Sequence, residues 1–253
     1  MISRDHPRYH SLIQREKITD AWRRGILADS GMIAHGRGEA FDYLLGEETT
    51  EPARKAIRAA AAALLLSEKP VISVNGNTAA LVPAEVVELA GEIGGKIEIN
   101  LFHRTEKRVK LIEEVLREHG ASEVLGTGEL VHIDGIMSPR ATASPEGIYS
   151  ADTVLVPLED GDRTEILRKS GKTVITVDLN PLSRTSRRAS ISITDNIVRA
   201  LPALMDAVRE LRGTPREELE GILREFDNTE NLRETIKLLD IRRYNPEVES
   251  SQE

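Results

Sequence analysis

Cysteine is absent from the 253 residues, and aromatic side chains make up only 3% of them. The first absence excludes disulfides, thiolate metal sites and cysteine nucleophiles, and it suits the reducing cytoplasm. The second leaves the core to aliphatic side chains and gives nucleic-acid bases little to stack on. Long hydrophobic runs are missing too. The longest, Ala59–Leu66, is far short of the roughly 20 residues that a membrane span needs. No G-x-G-x-x-G, no phosphate-loop lysine motif and no G-x-S-x-G occurs, so the sequence signatures of dinucleotide oxidoreductases, P-loop enzymes and serine hydrolases are lacking. Six histidines without a cysteine give little to build a zinc site from. A net charge of -8 and a pI near 5.4 speak against a nucleic-acid partner.

What is present is an alternation of strand and helix patterns. Residues 1–68 read as helical, with Ile18, Ala21 and Trp22 at helical spacing, then Phe41, Leu44 and Leu45, then a helix opened by Thr50-Glu51-Pro52. From Pro70 the chain alternates. Val71–Val74 reads as a strand and Asn75-Gly76-Asn77-Thr78 as a turn. Pro83–Ile93 is a helix closed by Gly94, Lys96–Leu101 a strand, and Glu106–Glu118 a helix closed by Gly120. Shorter strands are expected at 123–125 and 130–133. Two buried strands follow at Thr153–Pro157 and Thr173–Val177, and a last one at Ile191–Ile193. This pattern predicts an α/β protein with a mostly parallel sheet between helical layers. After Asp195 the chain is helical again. Pro202 is expected to kink or split the first piece, and Thr214-Pro215-Arg216-Glu217 to form a capping box. The polar tail from 245 to 253 is expected to be disordered.

The stretch Ala151–Thr185 carries the densest chemistry. Its two strands are separated by little more than a dozen residues, the span of a right-handed crossover. Ligands of open α/β sheets gather at the carboxyl ends of such strands. Asp178 there can accept from ribose hydroxyls or cap the turn at Leu179-Asn180-Pro181; Arg184, Arg187 and Arg188 bring cations suited to polyphosphate. Glu159, Asp160 and Asp162 can share Mg²⁺ with phosphates, or the aspartates can cap the next helix, which is the stronger reading. Asn75-Gly76-Asn77-Thr78 is either a phosphate-cradling turn or a plain one. His103, Arg104 and Thr105 open a helix where a phosphate can sit, against a simple Thr105 cap. Arg140 lies in a Gly- and Ser-rich loop, 135–147, long enough to be a lid.

Several motifs together resemble one family. His6-Pro7-Arg8-Tyr9 with Arg15-Glu16, then Val74-Asn75-Gly76-Asn77-Thr78-Ala79, are two of them. The long runs Val156-Pro157-Leu158-Glu159-Asp160-Gly161-Asp162-Arg163 and Val177-Asp178-Leu179-Asn180-Pro181-Leu182-Ser183-Arg184-Thr185 are the most distinctive. They resemble the archaeal 4-phosphopantoate–β-alanine ligases, also called phosphopantothenate synthetases. The resemblance runs from about Ser3 to Leu204 and implies a Rossmann-like core; with the residue pattern this gives a three-layer core over 69–212, residues 1–68 packed on it and C-terminal helices over 213–244. It implies a cytoplasmic homodimer that joins 4-phosphopantoate and β-alanine for coenzyme A synthesis. ATP and Mg²⁺ would be used, an acyl adenylate formed, and AMP and pyrophosphate released. ATP contacts would fall on Arg15, Arg37, Asp178, Leu179, Asn180, Arg184, Thr185 and Asn196. Arg184 and Asp160 would act in catalysis, with Asp160 and Asp162 at the metal. The other substrates would meet Asn75, Gly76, Asn77 and Thr78, and the substrate phosphate Arg104 with His103 or Arg140. No membrane or nucleic acid is implied. A non-catalytic nucleotide-sensing α/β module is the alternative from another class.

Overall fold

Residues 2–6, 8–133 and 142–239 are described here in a computed structural model. The chain runs α1 (Tyr9–Arg23), α2 (Asp29–Leu44), α3 (Glu51–Leu66), β1 (Pro70–Val74), α4 (Gly76–Leu81), α5 (Pro83–Ile93), β2 (Lys96–Ile99) and α6 (Glu106–Glu118). It continues through β3 (Val131–His132), β4 (Thr142–Ala143), a π-helical turn (Pro145–Tyr149), β5 (Thr153–Leu155), α7 (Gly161–Lys169) and β6 (Thr173–Val177). Last come α8 (Arg184–Arg188), β7 (Ile191–Ile193), α9 (Ile197–Leu211), α10 (Arg216–Glu225) and α11 (Asn228–Leu238). Five parallel strands form the sheet in the order β2-β1-β5-β6-β7, and β3 and β4 make a separate antiparallel ribbon.

The alternation of side chains along each strand divides the core in two. Ile72 and Val74, Leu155, and Ile175 and Val177 face a large aliphatic cluster built with α3, α5 and α9. Val71, Val154 and Val174 point the other way, onto Ile166 and Leu167 of α7, Ile148 of the π turn and Ile133 and Ala143 of the ribbon. The result is the three-layer α/β/α arrangement expected, with one thick and one thin helical layer. Helix α3 lies deep in the thick layer: Ala56, Ala59, Ala60, Ala61 and Ala62 are all fully buried. Alanine lets the neighbouring helices approach closely, and each fully buried Leu or Val around it contributes roughly 1.5–3 kcal/mol.

Local punctuation explains the boundaries. Pro83 opens α5 at its first turn, and Gly94 closes it with φ +61°. Thr105 caps α6 by accepting from Arg108 N–H at 3.3 Å, and Gly120 follows with φ +97°. Four expectations need correction. Asn75 to Thr78 is the capped start of α4 rather than a turn, because Asn75 Oδ1 accepts from Thr78 N–H at 3.0 Å. Pro202 lies inside a continuous α9: the ring forfeits one bond to the Val198 carbonyl, and burial of Leu201, Leu204 and Val208 outweighs that loss. The Thr214 side chain makes no cap, since Pro215 takes the N-cap position of α10. Of the short strands, Leu125 forms only a bridge to Glu98, and Val131–His132 pairs outside the main sheet.

Candidate active site

The strand order reverses between β1 and β5, because the chain leaves β1 for β2 on one side and returns to β5 on the other. Loops at the carboxyl ends of such a pair diverge and leave a crevice. Asn75 fastens it. While its Oδ1 caps α4, its Nδ2 donates to the carbonyls of Pro157 and Leu158, each at 3.0 Å. A cleft of about 800 Å³ opens above this point, with α2 as its opposite wall. That volume suits a small-molecule site. Leu158 on its floor has φ +54°, a left-handed conformation that costs a non-glycine residue about 1–2 kcal/mol.

The β6 edge supplies the most polar wall. Asp178 Oδ1 accepts from Asn180 N–H at 2.9 Å, and Oδ2 accepts from the Ser183 hydroxyl at 2.5 Å. The turn-cap role is thus filled by the same carboxylate that lines the cleft. Burial pushes the Asp178 carboxyl above its usual range, while Ser183, Asn180 N–H and the Arg37 charge oppose the shift. Ser183 caps α8, which sets Arg184 at its first position. The Arg184 guanidinium is held by Asp162 and by Glu165 at 2.7 Å, and Glu165 is drawn down to about 2 by Arg184 and Lys169. A methyl group on Gly161 would come within 2.6 Å of the Arg184 side chain, so only glycine lets that stem lie against α7. Thr185 donates its hydroxyl to Glu159 O at 2.9 Å. Burial raises the Glu159 carboxyl to about 7, against the pull of Arg163.

Asn196, at the end of the β7 loop, caps α9 and donates Nδ2 to Gln14 of α1 at 2.9 Å and Asp42 of α2 at 2.7 Å. Arg199 joins Asp42 to Asp195 in the same buried knot. These bonds lock the N-terminal helices onto the sheet edge and place Arg37 on the cleft wall. Arg15 stands one step behind: its guanidinium makes a two-pronged pair with Glu39, which lines the cleft.

The structure brings Arg37, Asn75, Gly76, Asn77, His103, Asp160, Asp178, Leu179, Asn180, Arg184, Thr185 and Asn196 together around one cleft. Of the remaining sequence candidates, Thr78, Arg104 and Asp162 do not line it. Thr78 is buried with its hydroxyl on Asn75 Oδ1. Arg104 turns away to donate to Gly126 O at 2.6 Å. Asp162 lies off the cleft wall beneath Arg184, and Arg140 is outside the described residues. Asp160 lines the cleft while its Oδ1 caps α7. Among the described residues no cluster of three or more His, Asp or Glu side chains is placed to hold a metal by itself. One carboxylate is nevertheless compatible with Mg²⁺, which takes much of its coordination from substrate phosphates and water. Sequence reading missed Arg108, His35 and Glu39, which line the same cleft. They belong to helices whose patterns signal only packing.

The sheet order and the cleft at its reversal define an open α/β protein with its ligand crevice at the switch point, the place where such folds take their ligands. The family model described as phosphopantothenate/pantothenate synthetase matches residues 52–242. A 4-phosphopantoate–β-alanine ligase of Thermococcus kodakarensis is 55% identical over 236 residues, covering 93% of this chain and 90% of that protein. Ligases of the same name from Thermococcus onnurineus and Methanosarcina mazei are each 54% identical, covering 93% of this chain and 90% and 92% of their own lengths. The chain belongs to the phosphopantothenate synthetase family.

Proposed function

We propose that the protein joins 4-phosphopantoate to β-alanine, spending ATP to AMP and pyrophosphate, to give 4′-phosphopantothenate for coenzyme A synthesis. One observation carries the reading: the two motifs that mark the family, residues 156–163 and 177–185, meet at the ends of neighbouring strands and together line one nucleotide-sized cleft. A carboxylate is a poor acyl donor. The phosphopantoate carboxylate therefore first attacks the α-phosphate of ATP, and the amine of β-alanine then displaces AMP from the acyl adenylate.

In this reading Asp178 and Asn180 hold the ribose, and Arg37, Arg184 and Thr185 receive the phosphates. Arg184 is exposed on a short helix and releases Asp162 and Glu165 to meet the leaving pyrophosphate. Arg15 acts through Glu39, and Asn196 fixes the edge on which the nucleotide rests. Asn75, Gly76 and His103 face the pantoate end. Asp160 would hold Mg²⁺ together with the phosphates, where the ion supplies charge neutralisation. Asp162 serves Arg184 instead. A homodimer fits the large apolar side chains left exposed on α1 and α2, with Ile33 65% and Leu44 45% exposed. A cytoplasmic location fits the lack of cysteine, and no described helix is long and apolar enough to cross a membrane.

The test is AMP release from ATP and Mg²⁺ with 4-phosphopantoate, with and without β-alanine, using pantoate as the control. AMP in quantity only with phosphopantoate and β-alanine together is the expected result. Protein that binds ATP but forms no AMP with any mixture would be a nucleotide-sensing module.

A further inference from the structure

In one corner of the cleft a half-buried guanidinium has no carboxylate beside it, and two buried polar atoms have no hydrogen-bond partner, among the described residues. Arg108 of α6 is half-buried, and among the described residues its guanidinium donates only to main-chain carbonyls, those of Ile26 at 3.3–3.4 Å and of His103. Burial alone lowers its pKa, and no carboxylate acts on it among the described residues. Asn77 Oδ1 and His35 Nε2 are buried without a hydrogen-bond partner among the described residues. Buried polar atoms are bonded in the great majority of cases, so such exceptions point to a ligand. All three side chains line the cleft.

They are also neighbours. A methyl on Gly31 would lie 3.2 Å from Asn77 Nδ2, and one on Gly76 would lie 3.2 Å from Arg108 Nη2. Leu27 Cδ1 would touch both, at 2.4 and 3.3 Å. Helices α2, α4 and α6 therefore converge on this leucine, and His35 follows Gly31 by one turn on the same face of α2. The corner offers one cation, one carbonyl acceptor and one imidazole. A phosphate dianion would leave a charge uncompensated by a single guanidinium and would find no donor in Asn77 Oδ1. A carboxylate joined by a short chain to an amine matches all three groups.

Resting on the ligase reading above, we propose that this corner is the β-alanine subsite. Arg108 binds the carboxylate, while Asn77 Oδ1 and His35 Nε2 accept hydrogen bonds from the amine. The charged groups facing His35 are Glu39 and Asp42 of α2 and Arg15 of α1. Arg108 of α6 lies across the corner, and α4 has no charged residue. Burial outweighs the two carboxylates and keeps the imidazole below its usual pKa, hence neutral and able to accept at pH 7. In the second half-reaction the amine nitrogen bonds to the acyl carbon. The bond from that carbon to the AMP oxygen breaks, and its electron pair leaves on AMP. Of the two protons the ammonium sheds, one passes to His35 Nε2 and the other leaves on the AMP phosphate.

The test separates the half-reactions in Arg108→Met, Asn77→Leu and His35→Gln. Phosphopantoate-dependent ATP–pyrophosphate exchange, which needs no β-alanine, should stay near wild type in all three. R108M and N77L should raise the KM for β-alanine by about 10–100-fold, the loss expected for a hydrogen bond to a charged group. H35Q should lower kcat by roughly 10²-fold and lose the acid limb of the pH profile. Hydroxylamine, which is uncharged at pH 7 and carries no carboxylate, should trap the acyl adenylate at the wild-type rate in each. Exchange falling in step with amide formation, a KM rise for phosphopantoate instead, or an unchanged kcat/KM for β-alanine would each overturn the subsite. Arg108→Lys and His35→Asn repeat the measurement should a first variant misfold. Wild-type protein without exchange would sink the ligase reading itself.

Discussion

The two ends of the central sheet treat their carboxylates in opposite ways. At the amino end, Asp152 precedes β5 and accepts from the Ser67 hydroxyl and from the main-chain N–H groups of Glu68 at 2.7 Å and Lys69 at 3.1 Å. Burial alone would raise its pKa, but these bonds, with one from Thr153 N–H, hold it below the usual 3.8. At the carboxyl end, Glu159, Asp178 and Asp195 are all pushed up, with burial as the largest cause in each. One end supplies donors in excess of what burial costs, and the other does not. The difference marks where the fold is stabilised and where polar capacity is kept for ligands.

The largest test of that contrast is Arg184→Ala at the carboxyl end. Its guanidinium is exposed and, among the described residues, pairs only with α7 carboxylates, so the fold should be unaffected. Losing one charge-stabilising donor should slow phosphopantoate-dependent exchange by ~10²–10³. A folded R184A variant with near-normal exchange would take Arg184 out of the mechanism.

Asp152→Ala should do the reverse. We expect about 1–2 kcal/mol less stability by urea denaturation, a modest figure because the side chain is largely solvent-exposed, with exchange per folded molecule unchanged. The pH dependence has a definite sign. A carboxyl held below 3.8 stabilises the fold above that pH and loses its effect as pH falls through the folded value. Asp152→Asn should therefore flatten the acid limb of the stability curve. Asp178 and Asp195 work the other way: their folded pKa values are raised, so their contribution weakens as pH rises from 3.8 through those values. A D152N variant with an unchanged acid limb would break the comparison.

The same contrast explains what could be read from the chain. Helices α5 and α6 and strand β7 were legible to the residue because their ends are set by neighbours in sequence: Pro83, the Thr105 cap, Gly94 and Gly120. The Asp178–Thr185 edge was legible because its polar residues follow one strand without a break. What escaped depends on distant partners. Arg108 is placed by the Ile26 carbonyl, 82 residues away. Asn196 was named through the resemblance, but its tie to Gln14 and Asp42, more than 150 positions off, was not legible. Pro202 reads as a kink or a split, and only the packing of α9 shows that the helix runs on unsplit. Asn75 reads as a turn residue, and only the β5 loop shows that it also ties two strands together.

The smallest expected effect concerns the two non-glycine residues with left-handed backbone among the described ones, Glu47 at φ +55° and Leu158 at φ +54°. Glu47 follows the end of α2, is exposed and does not line the cleft. Glycine there should relieve strain and stabilise the protein by about 0.5–1 kcal/mol, with activity unchanged. Leu158 has the same conformation but stands between the paired carbonyls that Asn75 holds, with its N–H donating to Val177 O at 3.0 Å. Glycine there relieves the same strain, yet it frees the loop that carries Glu159 and Asp160. Its gain in stability should be smaller than at Glu47, and exchange should fall several-fold, about 1 kcal/mol in the barrier. Equal stability gains and equal activity in the two variants would mean that the strained turn at Leu158 does nothing for the site.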